Sequence, residues 1–156
     1  MGLSGCGKTT VAKLLAQRTG GLFLDEDDYY SPEAKTMIAA GIPLSDGHRW
    51  PWLACLNRAL QIHSTQARTV FLACSALRQS YREKLAQGLD SLQFIYLQGS
   101  KELIWHRLES RTDHFTPRGL LYSQFATLEE PLDAVTISID MPIDIIVNMI
   151  LKDLGT

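Results

Sequence analysis

Apolar residues in this chain fall into two alternating kinds of run. Residues 21–25 (GLFLD), 69–74 (TVFLAC), 92–97 (LQFIYL) and 135–139 (VTISI) are short and nearly continuous. Such runs predict strands buried on both faces. Between them the apolar positions recur at helical spacing. The helix after Lys8 puts Val11, Leu14, Leu15 and Arg18 on one face and ends at Gly20-Gly21. Further helices are predicted over 32–40, stopped by Gly41; from 51 to about 66; over 77–87, closed by Gly88; over 101–111; and from Thr116-Pro117 to about 128. A last helix over 143–154 carries Ile145, Ile146, Met149, Ile150 and Leu154 as its expected apolar stripe. Strands alternating with helices predict an α/β fold, a parallel sheet with helices on both faces. Ligands then sit beyond the carboxyl ends of the strands, where Asp25, Asp27, Ser75 and Asp140 fall.

The chain opens on chemistry. Residues 2–9 (GLSGCGKT) match G-x-x-x-x-G-K-[ST] at every fixed position. A polyphosphate is bound by inward-pointing backbone N–H groups above a helix N-terminus. Gly2, Gly5 and Gly7 suit that wrap. Lys8 is placed to reach the β- and γ-phosphates, and the Thr9 hydroxyl to ligate Mg²⁺. The expected ATP site is Gly2, Leu3, Ser4, Gly5, Cys6, Gly7, Lys8, Thr9 and Thr10. A thiol at Cys6 beside helix-terminal N–H groups and Lys8 suggests a lowered pKa and a site where alkylation blocks nucleotide. The Met1-Gly2 start also resembles an acylation signal, but that signal wants Ser or Thr where Cys6 stands.

Length and composition add bounds. One hundred and fifty-six residues suit a single domain, residues 1–156. A net charge of −2 gives no reason to expect nucleic acid or a membrane surface as partner. Three widely spaced cysteines point to a reduced, cytoplasmic chain rather than a disulfide framework.

Asp25-Glu26-Asp27-Asp28 follows the first predicted strand. Aspartates at i and i+2 there suit two jobs. Asp25 would hold the water shell of Mg²⁺, and Asp27 would bind an acceptor hydroxyl and take its proton. The same spacing also suits a solvated acidic turn or a helix cap. Arg49, Arg78 and Arg82 lie on the expected acceptor side, and a guanidinium binds a carboxylate bidentately.

Several longer stretches resemble the gluconokinases: Gly41 to Asp46 with Arg49 and Pro51-Trp52-Leu53; Cys74-Ser75-Ala76-Leu77 with Tyr81-Arg82; Arg107-Leu108, Arg111 and His114-Phe115; and Ser123 through Glu129. The resemblance runs from Gly2 to the final helix. It implies transfer of the γ-phosphoryl of ATP to the 6-hydroxyl of D-gluconate, with ATP and Mg²⁺ as cofactors. It implies a P-loop kinase fold, a three-layer structure on a five-stranded parallel sheet ordered 2-3-1-4-5, with a lid at roughly 111–119. Its site residues would be Lys8, Asp27 and Arg111 in catalysis; Arg107 and Arg111 closing on ATP; Asp27, Arg49, Arg82 and Ser75 on the acceptor; and Thr9 with Asp25 on the metal. Homodimers are common in similar enzymes.

The chain departs from the family pattern on the acceptor side. Tyr30-Ser31 stand where His-Pro is usual, Ala34 and Met37-Ile38 where Asn and Lys-Met are usual, and His48 where an acid is usual. A kinase for another sugar acid or a shikimate-like acceptor is therefore an alternative. The first strand of the family is missing before the loop. The expectation is that Met1 is internal to a longer form with about eight more apolar-rich residues, or that the chain is a truncated product, with a non-catalytic nucleotide-binding protein as the further alternative.

Overall fold

Four parallel strands stand, in two pairs, among the described residues of the computed structural model, which are 1–66, 69–110 and 118–155. In chain order the elements are α1 (Lys8–Thr19), β1 (Leu22–Asp25), a 3₁₀ turn (Glu26–Tyr29), α2 (Pro32–Ala39), α3 (Asp46–Ser64), β2 (Val70–Ala73), α4 (Gln79–Ala86), β3 (Ile95–Gln98), α5 (Lys101–Glu109), α6 (Arg118–Thr127), β4 (Val135–Ser138) and α7 (Ile143–Asp153). β1 pairs with β2 from Leu22↔Val70 to Asp25↔Ala73, and β3 with β4 from Ile95↔Val135 to Gln98↔Ser138.

These pairs are the 2-3 and 4-5 halves of the expected order. Met1 and Gly2 lie between them. The Met1 ammonium donates to the Ile95 carbonyl. Leu97 N–H donates to the Met1 carbonyl at 3.0 Å, and Gly2 N–H to the Ser75 carbonyl at 3.2 Å.

Two apolar clusters cover the sheet. One joins α1, β3, β4, α5 and α7 through Val11, Leu15, Leu97, Ile104, Ile137 and Ile150. The other joins α3, α4 and the end of β2 through Trp52, Leu53, Leu56, Cys74, Tyr81 and Leu85. Complete burial of Leu53, Leu56, Ile104 and Ile150 makes these positions costly to truncate.

Each expected strand and helix has a counterpart among the described residues, though the expected helix start at Thr116-Pro117 and the expected helix end at Arg111 lie outside them, and two differences matter. α3 starts at Asp46 rather than 51, so Pro51 lies inside the helix. His48 and Arg49 N–H both donate to the Ser45 carbonyl, closing a turn that needs no proline. This puts Asp46 and Arg49 on a helix that faces the site. The stripe of α7 is also rotated from expectation. Ile146, Val147 and Ile150 are buried, while Ile145 and Met149 are each 45% exposed. Val147 competes for the core because it lies one turn before Ile150 on the same face.

Candidate active site

The phosphate loop is set by two left-handed glycines. Gly5 has φ 86° and Gly7 φ 96°. A Cβ on Gly5 would stand 2.9 Å from Leu108, and Gly7 is the residue from which α1 starts. Only glycine takes both conformations without strain. Lys8 is the first helical residue, and its ammonium donates to the Leu3 carbonyl at 3.1 Å, across the loop. Thr9 Oγ1 donates to Asp25 Oδ2 at 3.0 Å, and Asp27 N–H donates to Asp25 Oδ1 at 3.1 Å. One carboxylate thus joins the loop to the acidic turn.

A cavity of about 710 Å³ opens on this junction. Ser4, Gly5, Gly7, Lys8 and Thr9 line one wall. Asp25, Asp27, Arg49, Ser75 and Tyr81 line the other, and Ser123, Gln124 and Thr127 of α6 close a third side. Arg49 is held in place by its neighbours: its Nη1 donates to the Tyr81 hydroxyl at 3.2 Å and lies 3.7 Å from Asp46 Oδ1. The Tyr81 hydroxyl in turn donates to Asp46, which also accepts from Arg78 at 3.2 Å. These contacts, the Tyr81 hydroxyl first and then the two arginines, hold the Asp46 carboxyl below its ordinary range. Lys35 of α2 adds a third cation to the cavity lining, after Lys8 and Arg49.

Glu26 was not singled out by the sequence, yet it is the buried acid of the site, 8% exposed. Its Oε2 accepts from Ser75 N–H at 2.8 Å and from Ser75 Oγ at 3.0 Å. Burial pushes the Glu26 carboxyl up, while the Lys8 ammonium and the Ser75 N–H pull it back. Ala76 follows in the left-handed region with φ 45°, a strained turn for a residue with a Cβ. Glu26 and Ala76 together fix where Ser75 stands at the end of β2. Burial and Glu26 push the Cys74 thiol well up, which makes it an inert filler.

The departures have local partners. Tyr30 stacks on Trp52 with ring centroids 4.8 Å apart, and Trp52 Nε1 donates to the Glu26 carbonyl at 3.2 Å. His48 Nδ1 lies 2.7 Å from Ser45 Oγ.

Other expected site residues stand elsewhere. Arg82 is not on the cavity. It is 3% exposed, and its Nη1 donates to the carbonyls of Ala76 at 3.1 Å, Leu77 at 3.3 Å and Glu129 at 3.0 Å. With its Nη2 on Gln79 Oε1 at 2.8 Å, the guanidinium is taken up by groups of its own neighbourhood and ties α4 to the turn at Ala76 and to Glu129. Cys6 is 2% exposed and packs in the core with Leu3, so its thiol does not face the phosphate side as expected. Leu3 and Cys6 are the two side chains that the loop turns into the core. Thr10 is exposed and off the cavity lining. Arg107 Nη2 donates to the Ile139 carbonyl at 2.7 Å, away from the cavity lining. Arg111, His114 and most of the expected lid lie outside the described residues.

Two contacts explain the motif at 123–129. Gln124 is paired twice with the loop, accepting from Ser4 N–H at 2.8 Å and donating to Ser4 Oγ at 2.9 Å. The Glu129 carboxylate accepts from Gln79 N–H at 2.7 Å, at the positive end of α4. Neither partner adjoins in sequence, so spacing alone carried no signal of them.

The donor set fits the expected cofactors. A hydroxyl and a carboxylate, Thr9 and Asp25, are hard oxygen ligands suited to Mg²⁺, which keeps most of its shell as water and phosphate. No group of three or more His, Cys, Asp or Glu stands ready to hold an ion alone among the described residues. That arrangement suits a metal brought with a phosphate ester. No helix among them is long and apolar enough to cross a membrane.

Comparison with known proteins agrees with this geometry. The shikimate kinase family matches residues 4–132. The thermoresistant gluconokinase of Escherichia coli (strain K12) is 38% identical over 148 residues, covering 92% of this chain and 85% of that protein. A gluconokinase structure from Sinorhizobium meliloti 1021 superposes with a TM-score of 0.88 at 37% identity, covering 99% of this chain and 89% of that one. An unliganded sugar kinase from Janibacter sp. HTCC2649 superposes with a TM-score of 0.92 at 38% identity, covering 99% and 91%. With its phosphate loop, acidic turn and acceptor wall on one cavity, the chain belongs to the gluconokinases, within the shikimate kinase family of P-loop kinases.

Proposed function

We propose that this chain transfers the γ-phosphoryl group of ATP to the 6-hydroxyl of D-gluconate, giving 6-phospho-D-gluconate and ADP. The observation that carries this reading is the single cavity that has Lys8 and Thr9 on one wall and Asp27, Arg49 and Ser75 on the other. Donor and acceptor thereby meet in one space.

The loop N–H groups and Lys8 bind the phosphates and offset charge that grows on the bridging oxygen as its bond to the γ-phosphorus breaks. Thr9 and Asp25 would hold Mg²⁺, which when bound draws charge from the β- and γ-phosphate oxygens. Asp27 accepts the hydrogen bond of the acceptor hydroxyl and takes its proton as the new P–O bond forms. Arg49, steadied by Tyr81 and Asp46, meets the sugar-acid carboxylate, with Lys35 as a second cation beside it. Ser75, fixed by Glu26, offers its hydroxyl to the polyol. Arg111, carried over from the family resemblance, is assigned to the transferring phosphoryl.

A second acceptor is favoured by one observation: Tyr30, at a position where the family pattern differs, lines the cavity. The test is coupled ADP release with a panel of sugar acids and shikimate. Gluconate-dependent release that disappears in Lys8→Ala supports the proposal. Release with another acceptor and none with gluconate moves the function to that acceptor. ATP binding with no acceptor-dependent release overturns the kinase reading.

A further inference from the structure

The hydroxyl that Ser75 brings to the cavity has its proton already committed. Its Oγ and its own N–H both donate to one atom, Glu26 Oε2, at 3.0 and 2.8 Å. An N–H can only donate, so Oε2 acts here through its lone pairs. A hydroxyl carries a single proton, and that of Ser75 therefore points at Glu26. What Ser75 turns to the cavity it lines is oxygen lone pairs.

Glu26 is held from several sides. It is buried, Trp52 Nε1 donates to its backbone carbonyl at 3.2 Å, and the Cys74 thiol hydrogen-bonds its carboxylate. The carboxylate also feels the charges of Lys8 and Asp27, and both residues line the same cavity as Ser75. The Ser75–Glu26 pair therefore stands at the phosphate end of the acceptor wall, where the transfer takes place. Asp27, as the base, accepts a hydrogen bond too. An acid entering this end meets two acceptors, and from Ser75 it meets no donor.

We propose that Glu26 is a positioning residue that makes Ser75 an acceptor of hydrogen bonds only, so that the site selects acids with a hydroxyl on the carbon next to the reacting one and rejects those with a carbonyl there. A hydroxyl at that carbon donates to Ser75 Oγ. A carbonyl sets lone pairs against lone pairs and leaves both oxygens without the water they gave up. The acceptor class is thus a sugar acid that ends in a vicinal pair of hydroxyls, one primary and one secondary. This deepens, and rests on, the proposed transfer to a sugar-acid hydroxyl.

The test compares kcat/KM for D-gluconate with that for 5-keto-D-gluconate, which keeps the reacting hydroxyl and carries a carbonyl on the next carbon. The parent is expected to favour gluconate by about tenfold or more. Glu26→Gln is expected to keep that preference, because its amide oxygen accepts from both Ser75 groups. Glu26→Leu frees the Ser75 proton to turn toward the cavity, and the two acids are expected to become nearly equal. Ser75→Ala keeps its N–H on Glu26 and loses only the oxygen. It is expected to level the two acids as well, with Glu26→Leu adding nothing further on top of it. Each fold is checked by circular dichroism, and Ser75→Ala carries the test where Glu26→Leu does not fold. A Glu26 that served only to hold the fold would lower both acids alike and leave their ratio unmoved. The proposal is overturned by a parent that uses gluconate without the preference, or by a preference that survives in Glu26→Leu or in Ser75→Ala. A parent that turns over neither acid overturns the transfer reading, and this proposal with it.

Discussion

Asp25, Glu26 and Asp27 are consecutive acids with three different surroundings. Asp25 is tied to Thr9, Glu26 is buried on Ser75, and Asp27 lines the cavity with more exposure. The i, i+2 spacing made Asp25 and Asp27 legible as a pair, but nothing in it separated Glu26, whose role comes from contact with a residue 49 positions away. If Asp27 takes the acceptor proton, Asp27→Asn keeps the shape and removes the base. The expected loss is about 10²–10⁴ in kcat with ATP affinity nearly unchanged, measured by steady-state kinetics and nucleotide titration. Asp46 gives a pH prediction. Its folded pKa lies below the ordinary value of about 3.9. The ionised form therefore contributes stability above that pH, and the contribution is lost as pH falls through the folded value. Urea unfolding of the parent and Asp46→Asn should show a constant gap from pH 7 to about 5 that closes toward pH 2. A gap independent of pH would assign the effect to packing instead.

At the scale of elements, Arg82 and Gln124 do what helix pattern alone does not reveal. Arg82 ties α4 to the strained turn at Ala76 and to Glu129 after α6. Arg82→Ala leaves buried carbonyls without a donor and is expected to cost about 3 kcal/mol in denaturant unfolding. A rise in gluconate KM with unchanged stability would instead restore Arg82 to the acceptor site. Gln124 clamps α6 to the phosphate loop through both atoms of its amide. Gln124→Leu is expected to weaken ATP binding several-fold while leaving gluconate binding little changed, as read by titration calorimetry. The glycines, the Lys8-Thr9 pair and the strand runs were legible because their conformation or chemistry is local. The start of α3 was not, since Pro51 reads as a first turn until the tertiary structure shows Ser45 closing an earlier one.

In the whole molecule, the helix carrying the phosphate loop belongs to the same core as α7. Ile150 is fully buried there, in one cluster with Leu15, Leu97 and Ile137. Ile150→Ala is expected to cost about 2–5 kcal/mol, with fluorescence and far-ultraviolet dichroism losing signal at the same temperature. Separate transitions would show that the two strand pairs unfold independently.

The residues alone determined the α/β class, the phosphate-binding loop, the acidic turn and the kinship of the chain, because each depends on periodicity or on groups within a few positions of one another. Only the tertiary structure decided which arginine faces the cavity, which thiols are buried, which stripe of α7 enters the core, and what Glu26, Gln124 and Glu129 hold. Those outcomes depend on contacts between distant segments. Whether a guanidinium meets substrate or backbone carbonyls is set by which unpaired groups lie within its reach once the chain has folded.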